Sequence, residues 1–455
     1  MKLLIANRGE IAVRIIRTAR ELAIPTVAVY STADADTLAV DLADEAVCIG
    51  PPPARDSYLN ISNVLAAAEI TGCNAVHPGY GFLAENATFA RACASEGVVF
   101  VGPSPDVMER MGDKIAAKDA ARAADLPVLG GSDGPVSDVA SALAAAESAG
   151  YPVLLKAAAG GGGKGMRRVE RPADLAHAFE VAQREAEAAF SDGSLYVERL
   201  LEGARHVEIQ VMADGQGGAL VCGDRECSIQ RRHQKLIEEA SAPHLPPATR
   251  EAMQQAALRA VKAWDYRSAG TLEFLVDARG DFFFLELNAR LQVEHPVTEL
   301  VTGLDLVAEQ LNVAAGGLLS RTGIAEANGH AIECRINAED PSRDFRPGAG
   351  RLDDFRLAQG PGIRVDTHCE PGENIPPHYD SLLGKLCVWA PDRPRAVARL
   401  RRALAETSIT GIPTTLPLLT DIAADAPFVE GRYTTSYLPE REAYLPSLRP
   451  PARVA

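Results

Sequence analysis

Residues 1–30 read MKLLIANRGEIAVRIIRTARELAIPTVAVY, and this stretch decides the fold class of the first part of the chain. Lys2 to Ala6 is an apolar run typical of a buried strand, and Thr26 to Tyr30 is apolar and β-branched again. Between them, residues 10–22 place isoleucine, alanine and leucine at helical spacing. A strand, a helix and a second strand in this order predict a βαβ unit of an α/β fold.

Working outward, the same alternation continues to residue 101 and predicts an open parallel sheet of about five strands within a domain spanning 1–112. From residue 113 an alanine-rich helix is followed by a strand, a glycine loop and a strand, which together predict a hairpin. Several strands with little helix between them then predict an antiparallel, α+β body. We expect this body to span 113–315, with a lid at about 130–203, followed by a third domain at 316–445 and a flexible tail at 446–455.

Composition excludes several classes of protein. The chain has 455 residues, too many for a small stapled module, and a net charge of −15, which disfavours nucleic acid and anionic membranes as partners. Eight cysteines lie scattered without a CxxC pair, which indicates reduced thiols and no zinc site. Apolar runs stay well short of the roughly 18 residues of a membrane span. We therefore expect a cytoplasmic protein.

A glycine-rich stretch, AGGGGKGM at 159–166, satisfies the GxGxxG spelling. A dinucleotide site would need a helix after it, where a strand is predicted, and a P-loop would need Ser or Thr after its lysine, where Gly165 stands. The remaining interpretation is a mobile hairpin that closes over phosphates, flanked by the cations Lys156 and Lys164. A flexible surface turn is the alternative.

An acidic cluster follows on two predicted strands. Glu273 lies on the first, and Glu286 and Asn288 share one face of the second. Two carboxylates and an amide oxygen are hard ligands that suit Mg²⁺ held together with ATP phosphates. Two solvated acids at strand edges are the alternative.

The string ELNARLQVEHPVTE at 286–299 spaces Arg290, Gln292 and Glu294 by two residues. Such alternation could place a guanidinium, an amide and a carboxylate around one small planar anion, with Glu294 removing a proton from a bound acid. A structural salt bridge between Arg290 and Glu294 is the alternative.

A cluster of positive charge stands out in this acidic chain. The segment DRECSIQRRHQKLIEEA at 224–240 carries Arg225, Arg231, Arg232, His233 and Lys235. Concentrated positive charge attracts anionic ligands, whereas a solvated charge run is the alternative.

The motifs in this order resemble biotin carboxylase, a family of the ATP-grasp superfamily, over almost the whole chain. The resemblance implies a pre-ATP-grasp domain, an ATP-grasp body with a glycine-rich lid, and a C-terminal domain that completes the site. Besides the glycine loop and 286–299, the motifs that carry it are ANRGEIA (6–12), HPGYGFLAEN (77–86), MGDK (111–114), RHVEIQV (205–211), QRRHQK (230–235), ECRINAEDP (333–341) and YDSLLGK (379–385).

By this resemblance, each candidate residue acquires a role. ATP would be bound by Lys114, Lys156, Gly161, Gly162, Glu198, Leu201, His206, Gln230 and His233. Mg²⁺ or Mn²⁺ would be held by Glu273, Glu286 and Asn288. Bicarbonate would be bound by Lys235, Arg290, Gln292, Val293 and Glu294, with Glu294 as its general base. Biotin would be bound by Tyr80, Gly81 and Arg335, and the catalytic set would be Glu294, Arg290, Arg335 and Lys235.

The implied reaction is the ATP-dependent carboxylation of biotin, through a carboxyphosphate intermediate, as the first half-reaction of an acyl-CoA carboxylase, notably acetyl-CoA carboxylase in fatty acid synthesis. The chain lacks the Met-Lys-Met triplet to which biotin is attached. We therefore expect a separate biotin carboxyl carrier protein and a separate carboxyltransferase subunit as partners. Another ATP-grasp ligase, joining a carboxylate to an amine, and a silent ATP-binding regulatory subunit are the alternatives.

The chain departs from the family pattern at a few positions. Ala159 and Arg199 replace a glycine of the loop and a lysine beside the adenine, which predicts altered lid motion or nucleotide affinity. The resemblance also implies a homodimer through Arg14, Arg17 and Arg364, where Pro361 replaces a common aromatic residue.

Overall fold

A computed structural model describes residues 1–157, 166–190 and 192–449. The first part of the chain forms a parallel five-stranded sheet in the order β3-β2-β1-β4-β5, which confirms the predicted open sheet. Its elements are β1 Leu3–Ile5, α1 Gly9–Glu21, β2 Thr26–Ser31, α2 Leu38–Leu42, β3 Glu45–Gly50, a 3-10 turn Ala54–Asp56, α3 Ile61–Thr71, β4 Ala75–His77, α4 Ala87–Ser95, β5 Val99–Phe100 and α5 Pro105–Gly112.

Burial explains why the opening segment folds as the sequence predicts. Leu3, Leu4 and Ile5 of β1 are fully buried in the centre of this sheet, and the helical stripe of α1 packs its isoleucines onto it. Each buried Leu or Ile side chain stabilises the fold by about 1.5–3 kcal/mol relative to an exposed one.

The central part of the chain supplies most of the cleft described below. Its elements are α6 Lys114–Ala123, α7 Val139–Ala149, β6 Val153–Ala157, β7 Arg167–Val169, α8 Pro172–Phe190, β8 Leu195–Arg199, β9 Arg205–Asp214, β10 Ala219–Arg231, β11 Gln234–Ala240, α9 Pro247–Ala263, β12 Arg267–Val276, β13 Phe282–Asn288, α10 His295–Thr302, α11 Leu306–Ala314 and β14 Gly323–Ile324.

A small antiparallel sheet in the order β7-β6-β8 forms within this part, with its own apolar core against α7 and α8. The predicted hairpin around the glycine loop is confirmed, since β6 and β7 pair directly. The sequence assigned β8 to the antiparallel body, but β8 pairs with β6 in the small sheet. The glycine loop itself, including Gly161 and Gly162, lies outside the described residues.

The last part of the chain adds short strands and four helices to the described structure. Its elements are β15 His330–Asn337, β16 Glu339–Asp340, a 3-10 turn Pro341–Arg343, β17 Arg346–Pro347, β18 Gly350–Arg351, β19 Asp354–Arg356, β20 Ile363–Thr367, β21 Asn374–Ile375, β22 Leu382–Ala390, α12 Arg393–Glu406, β23 Ser408–Thr410, α13 Leu416–Ala424, α14 Ala426–Val429, α15 Tyr437–Arg441 and a 3-10 turn Pro446–Leu448.

One large sheet joins the central and last parts. It runs in the order β13-β12-β9-β10-β11-β15-β22-β20, with β14 beside β10, so it crosses the domain boundary predicted at residue 316. The junction is the antiparallel pairing of β11 with β15, in which Ile237 lies opposite Cys334. This pairing brings the segment around Lys235 next to the segment around Arg335.

Two further features concern the chain as a whole. The start of the predicted tail packs onto the fold, since the Ser447 amide donates to Asp421 Oδ2 at 2.8 Å. Among the residues that the structure describes, none of the helices combines the length and apolar character needed to cross a membrane.

A buried ion-pair network ties β11 to the last part of the chain. Glu239 is fully buried and accepts hydrogen bonds from His330 Nε2 at 2.6 Å, from Arg393 at 2.8 Å and from the Tyr433 hydroxyl at 2.5 Å. Burial alone would raise the pKa of Glu239, but the hydrogen bonds of His330 and Arg393 outweigh it and lower the pKa to about 2.

We predict that Glu239→Gln lowers the thermal unfolding midpoint by several degrees at neutral pH, because Arg393 loses its buried anion, a loss of about 3–5 kcal/mol. A lowered carboxyl pKa stabilises the fold above the unfolded pKa near 4.5, and this contribution is lost as the pH falls toward 2. Thermal melts between pH 3 and 7 test this, with the exposed Glu430→Gln as the matched control. Equal midpoints for the two variants would contradict the prediction.

Candidate active site

A cavity of about 580 Å³ lies between the small sheet and the large sheet. It collects nearly every residue that the sequence assigned to ATP, metal or bicarbonate. These are Lys114, Lys156, Glu198, Leu201, His206, Gln230, His233, Lys235, Glu273, Glu286, Asn288, Arg290, Gln292, Val293 and Glu294. Arg335, which the sequence assigned to biotin, also lines this cavity.

A second cavity, of about 500 Å³, adjoins the first on the side of the N-terminal domain. Tyr80 and Gly81, assigned to biotin, line this second cavity. Lys235, Val293 and Arg335 line both cavities, so they form the wall where the two meet. The two cavities are therefore separated only by side chains that belong to both.

At the end of the first cavity near the small sheet, two lysines converge on one buried carboxylate. Glu198 of β8 accepts from Lys118 Nζ at 2.5 Å and from Lys156 Nζ. Burial would raise the pKa of Glu198, but the charges of Lys156 and Lys118 lower it. Burial, followed by the repulsion of Lys156, lowers the pKa of Lys114 nearby. Positive charge is thus concentrated where the sequence placed the nucleotide.

Lys118 was not among the sequence candidates. It lies one helical turn after Lys114 on α6. The i, i+4 spacing of the two lysines is the sequence feature that could have identified Lys118 as a neighbour of Lys114 in the site.

The acidic cluster lies on two neighbouring strands of the large sheet. Glu273 of β12 is directly opposite Glu286 of β13, and Asn288 lies at the end of β13. Glu273 is 3.1 Å from His206 Nε2 and accepts from Gln292 Nε2 at 3.0 Å. Burial opposes ionisation of Glu273, but Lys235 and His206 hold its pKa well below the usual range.

Glu286 behaves differently from Glu273. Its withdrawal from bulk solvent in the cleft, followed by the charge of Glu273, raises the pKa of Glu286. The pKa values of the two facing carboxylates therefore move in opposite directions, that of Glu273 downward and that of Glu286 upward. The alternative interpretation as solvated strand-edge acids is wrong for Glu273, which is buried.

Glu294 lines the first cavity, next to the wall that the two cavities share. It is 1 % exposed and accepts from Lys235 Nζ at 2.6 Å and from Arg335 Nη2 at 2.8 Å. Burial would raise the pKa of Glu294, but Lys235, Arg335 and Arg225 together lower it far below the usual value. Glu294 is therefore an ionised carboxylate at neutral pH.

Arg290 takes a partner that the sequence did not indicate. It donates from Nε to Glu85 at 2.8 Å and from Nη2 to Asn288 Oδ1 at 2.9 Å. Glu85 belongs to the HPGYGFLAEN motif, so this ion pair joins the N-terminal domain to the cleft. In the described structure the carboxylate partner of Arg290 is thus Glu85, and the alternative of an Arg290–Glu294 salt bridge is wrong.

The alternation argument for Arg290, Gln292 and Glu294 needs a correction. These residues do not continue a strand, since β13 ends at Asn288 and a turn leads into α10 at His295. They line one cavity because this turn wraps around it.

Arg225 supports the site from behind, a role that could not be inferred from its charge. It is fully buried and donates to Glu208 at 2.5 Å, to Gln210 at 2.7 Å and to Thr298 at 2.9 Å. Glu208 also accepts from Lys235 at 2.5 Å. Arg225 therefore holds Glu208 in place, and Glu208 in turn holds Lys235. The interpretation as part of a solvated charge run is wrong for Arg225.

Arg232 is exposed, as the solvated alternative expects, whereas Arg231 is partly covered and stacks on the ring of Phe345. Both lie at the end of the β10–β11 hairpin and pair with the exposed Asp344.

Comparison with known families agrees with this geometry. Residues 1–108 match "Biotin carboxylase, N-terminal domain", residues 113–322 match "Carbamoyl-phosphate synthase L chain, ATP binding domain", and residues 333–440 match "Biotin carboxylase C-terminal domain". A curated biotin carboxylase of Nostoc sp. is 51% identical over 440 residues, covering 96% of this chain and 98% of the Nostoc protein.

Two solved structures share the fold. The biotin carboxylase–beta-gamma-ATP complex from Campylobacter jejuni has a TM-score of 0.93 and 46% identity, covering 96% of this chain and 98% of that one. The biotin carboxylase domain dimer of Hydrogenobacter thermophilus 2-oxoglutarate carboxylase, with MgADP, ADP and bicarbonate, has a TM-score of 0.92 and 46% identity, covering 97% of each chain.

Fold and cleft together define an ATP-dependent ligase of the ATP-grasp class. The chain belongs to the biotin carboxylase family, whose members carboxylate biotin at the expense of ATP.

Proposed function

We propose that this biotin carboxylase acts on biotin attached to a separate carrier protein and supplies the carboxyl group for acetyl-CoA carboxylation in fatty acid synthesis. The main support for the roles proposed for individual residues is the position of Glu294. It lines the first cavity and is bonded to two residues that line both cavities, Lys235 on one strand and Arg335 on the next strand of the same sheet. One carboxylate can thus serve a bicarbonate in the first cavity beside a biotin in the second.

ATP would be bound by the lysine-rich end of the first cavity. Lys114 and Lys156, aided by Lys118, would neutralise phosphate charge, and His206, Gln230 and His233 line the same cavity. Glu198 now holds two of these lysines, so nucleotide phosphates would compete with it for them. Gly161 and Gly162 remain predictions.

The residues present fit a divalent cation. The raised pKa of Glu286 opposite ionised Glu273 means that a cation between them would relieve their repulsion. Glu273, Glu286 and Asn288 would hold Mg²⁺ or Mn²⁺, and the Asn288 oxygen now accepts a hydrogen bond from Arg290. When bound, the metal would neutralise charge on the transferring phosphoryl group.

Bicarbonate would lie among Lys235, Arg290, Gln292 and Val293, facing Glu294 as base. Glu294 is held ionised, so it can accept a proton from bicarbonate. The bicarbonate oxygen would then attack the γ-phosphorus of ATP and give carboxyphosphate and ADP. Carboxyphosphate would release CO₂ and phosphate, and the ureido nitrogen of biotin would attack the CO₂ after losing its proton to that phosphate. Enclosure of the site matters because water would hydrolyse the intermediate.

The partners follow from the same proposal. A biotin carboxyl carrier protein and a carboxyltransferase subunit would complete the reaction. A homodimer is supported by the dimeric Hydrogenobacter relative and would use the surface around Arg14 and Arg364, which both bind Glu299. We further propose a cytoplasmic location.

The acceptor can be tested by reconstitution. We expect ADP release to require Mg²⁺, bicarbonate and biotin, with labelled bicarbonate moving to biotin and then, with an acetyl-CoA carboxyltransferase and a biotinylated carrier, to acetyl-CoA. Transfer only with a 2-oxoglutarate or pyruvate transferase would overturn the acetyl-CoA assignment. Turnover that needs an amine in place of biotin would indicate a carboxylate–amine ligase, and binding without turnover would indicate a regulatory subunit.

A further inference from the structure

Behind Arg335, two glutamates face each other inside the large sheet. Glu238 of β11 lies directly opposite Glu333 of β15, and both side chains are fully buried. Directly opposite residues of antiparallel strands have Cβ atoms about 4.5–5.5 Å apart and point to the same face. Two carboxylates are therefore packed side by side and shielded from bulk solvent.

Each of these carboxylates has one oxygen that lacks a hydrogen-bond partner in the described structure, Oε2 of Glu238 and Oε1 of Glu333. The other oxygen of each carboxylate accepts a hydrogen bond, but the two bonds differ in strength. Glu238 Oε1 accepts from Arg335 Nε at 2.6 Å, whereas Glu333 Oε2 accepts only a weak bond from Cys387 Sγ at 3.4 Å. Glu238 is thus stabilised as an anion and Glu333 is not.

A buried polar atom without a partner is unfavourable because it has lost its hydrogen bonds to water, and two such atoms lie on facing side chains here. Two ionised carboxylates this close also repel strongly. A single proton on Glu333 Oε1, donated to Glu238 Oε2, would pair both unpartnered oxygens and remove the repulsion.

We propose that Glu333 is a protonated carboxyl that hydrogen-bonds to ionised Glu238, and that this pair is a positioning device that holds Arg335 toward the biotin cavity. The functional part rests on the placement of Arg335 in the biotin site proposed above. Arg335 lies two residues beyond Glu333 on the same strand, so it shares the face of the sheet with the pair.

Electrostatics of the surroundings agree with one retained proton. Burial is the main cause that raises the pKa of both groups, and it raises that of Glu333 further, because the opposing charge of Arg335 acts directly on Glu238 through a hydrogen bond; Lys385 opposes the rise at Glu333. The other titratable groups around the pair are Lys235 and Glu294 toward the cleft, Cys227 of β10, Cys334 of β15 and Cys387 of β22.

Loss of this proton has a defined consequence. At alkaline pH a second anion beside Glu238 would draw Arg335 away from Glu294, which shares its guanidinium. Coupling of ATP cleavage to biotin carboxylation would then decline as pH rises, while the free enzyme at neutral pH keeps Arg335 centred between Glu238 and Glu294.

Infrared difference spectroscopy of the full-length protein tests the proton directly. The wild type should show a carbonyl stretching band of a buried carboxylic acid at neutral pH, and Glu333→Gln should lose that band. Because Glu10 and Glu226 are also buried carboxyls with a raised pKa, the spectrum of Glu333→Gln is subtracted from that of the wild type, and absence of the band from this difference would overturn the proposal. This readout needs no activity, so it is independent of whether the chain carboxylates biotin.

Kinetics test the positioning role. Glu333→Gln keeps an uncharged donor, so we expect the biotin KM at pH 7 to stay close to wild type and the alkaline loss of coupling to disappear. Glu333→Leu leaves Glu238 without its donor and should raise the biotin KM about tenfold. Equal damage in the Gln and Leu variants would overturn the positioning role. If the infrared band is present but biotin kinetics respond to neither variant, the proton pair stands and the biotin role of Arg335 fails.

Discussion

Glu294→Gln is expected to lower bicarbonate-dependent ADP release by about 10²–10⁴-fold while nucleotide binding is retained. The substitution keeps the shape of the side chain and removes its ability to accept a proton. It also leaves Lys235 and Arg335 without a shared anion, although Lys235 keeps Glu208 and Arg335 keeps Glu238. Binding of the nucleotide depends on the other end of the cavity, so it should change little.

Steady-state ADP release and nucleotide titration measure the two effects separately. The matched control is Glu326→Gln, the same substitution at an exposed position. Because Lys235 and Arg335 keep the pKa of Glu294 far below neutral, Glu294 is ionised from mildly acidic to alkaline pH. The ratio of wild-type to variant rate should therefore stay constant across that range. Normal turnover of Glu294→Gln would remove this residue from the role of base.

Arg335→Gln is expected to separate ATP cleavage from biotin carboxylation. Arg335 reaches Glu294 on the cavity wall and lines both cavities, so it can stabilise negative charge that develops on biotin. Removal of one such donor costs about 10²–10³-fold in the step that it serves. ADP release should continue, and the label transferred from bicarbonate to biotin per ADP should fall by about that factor.

The measurement is the ratio of carboxybiotin to ADP in the same reaction. Arg356→Gln, at an exposed arginine of β19, is the matched control, and Arg335→Lys asks whether charge alone is enough. Thermal melts must accompany the assay, since Glu238 and Glu294 lose a buried partner and breaking a buried ion pair costs about 3–5 kcal/mol. An unchanged ratio in a folded Arg335→Gln variant would remove Arg335 from the biotin site.

The metal candidates show what the sequence predicts well. Strand periodicity and residue type predicted that Glu286 and Asn288 belong to one strand and that Glu273 lies on another. The direct opposition of Glu273 and Glu286 came from the pairing register, which includes an irregularity between Glu273 and Phe274. Local pattern does not encode such a shift in register, so the opposite directions in which the pKa values of the two glutamates move were not predictable.

The buried arginine shows the opposite case. Arg225 stands in a run of charges whose other arginines, Arg231 and Arg232, are held at a hairpin end by Asp344. Nothing in the spacing of the run distinguishes the arginine that is fully enclosed by Glu208 from those that are not. Burial is a property of packing between strands distant in sequence, so only the structure assigns it.

The sequence by itself determined the parallel N-terminal sheet, the hairpin of the small sheet, the biotin carboxylase family and many of the charged and polar residues that line the cleft, although not Lys118. These follow from local periodicity and from the order of the motifs. Both are properties of the sequence and do not depend on how the chain folds. The tertiary structure decided that the large sheet crosses the predicted boundary at 316 through β11 and β15. It also decided which partner Arg290 takes and that Glu238 faces Glu333. Such contacts join residues about 100 or more positions apart, and their energies depend on burial and register.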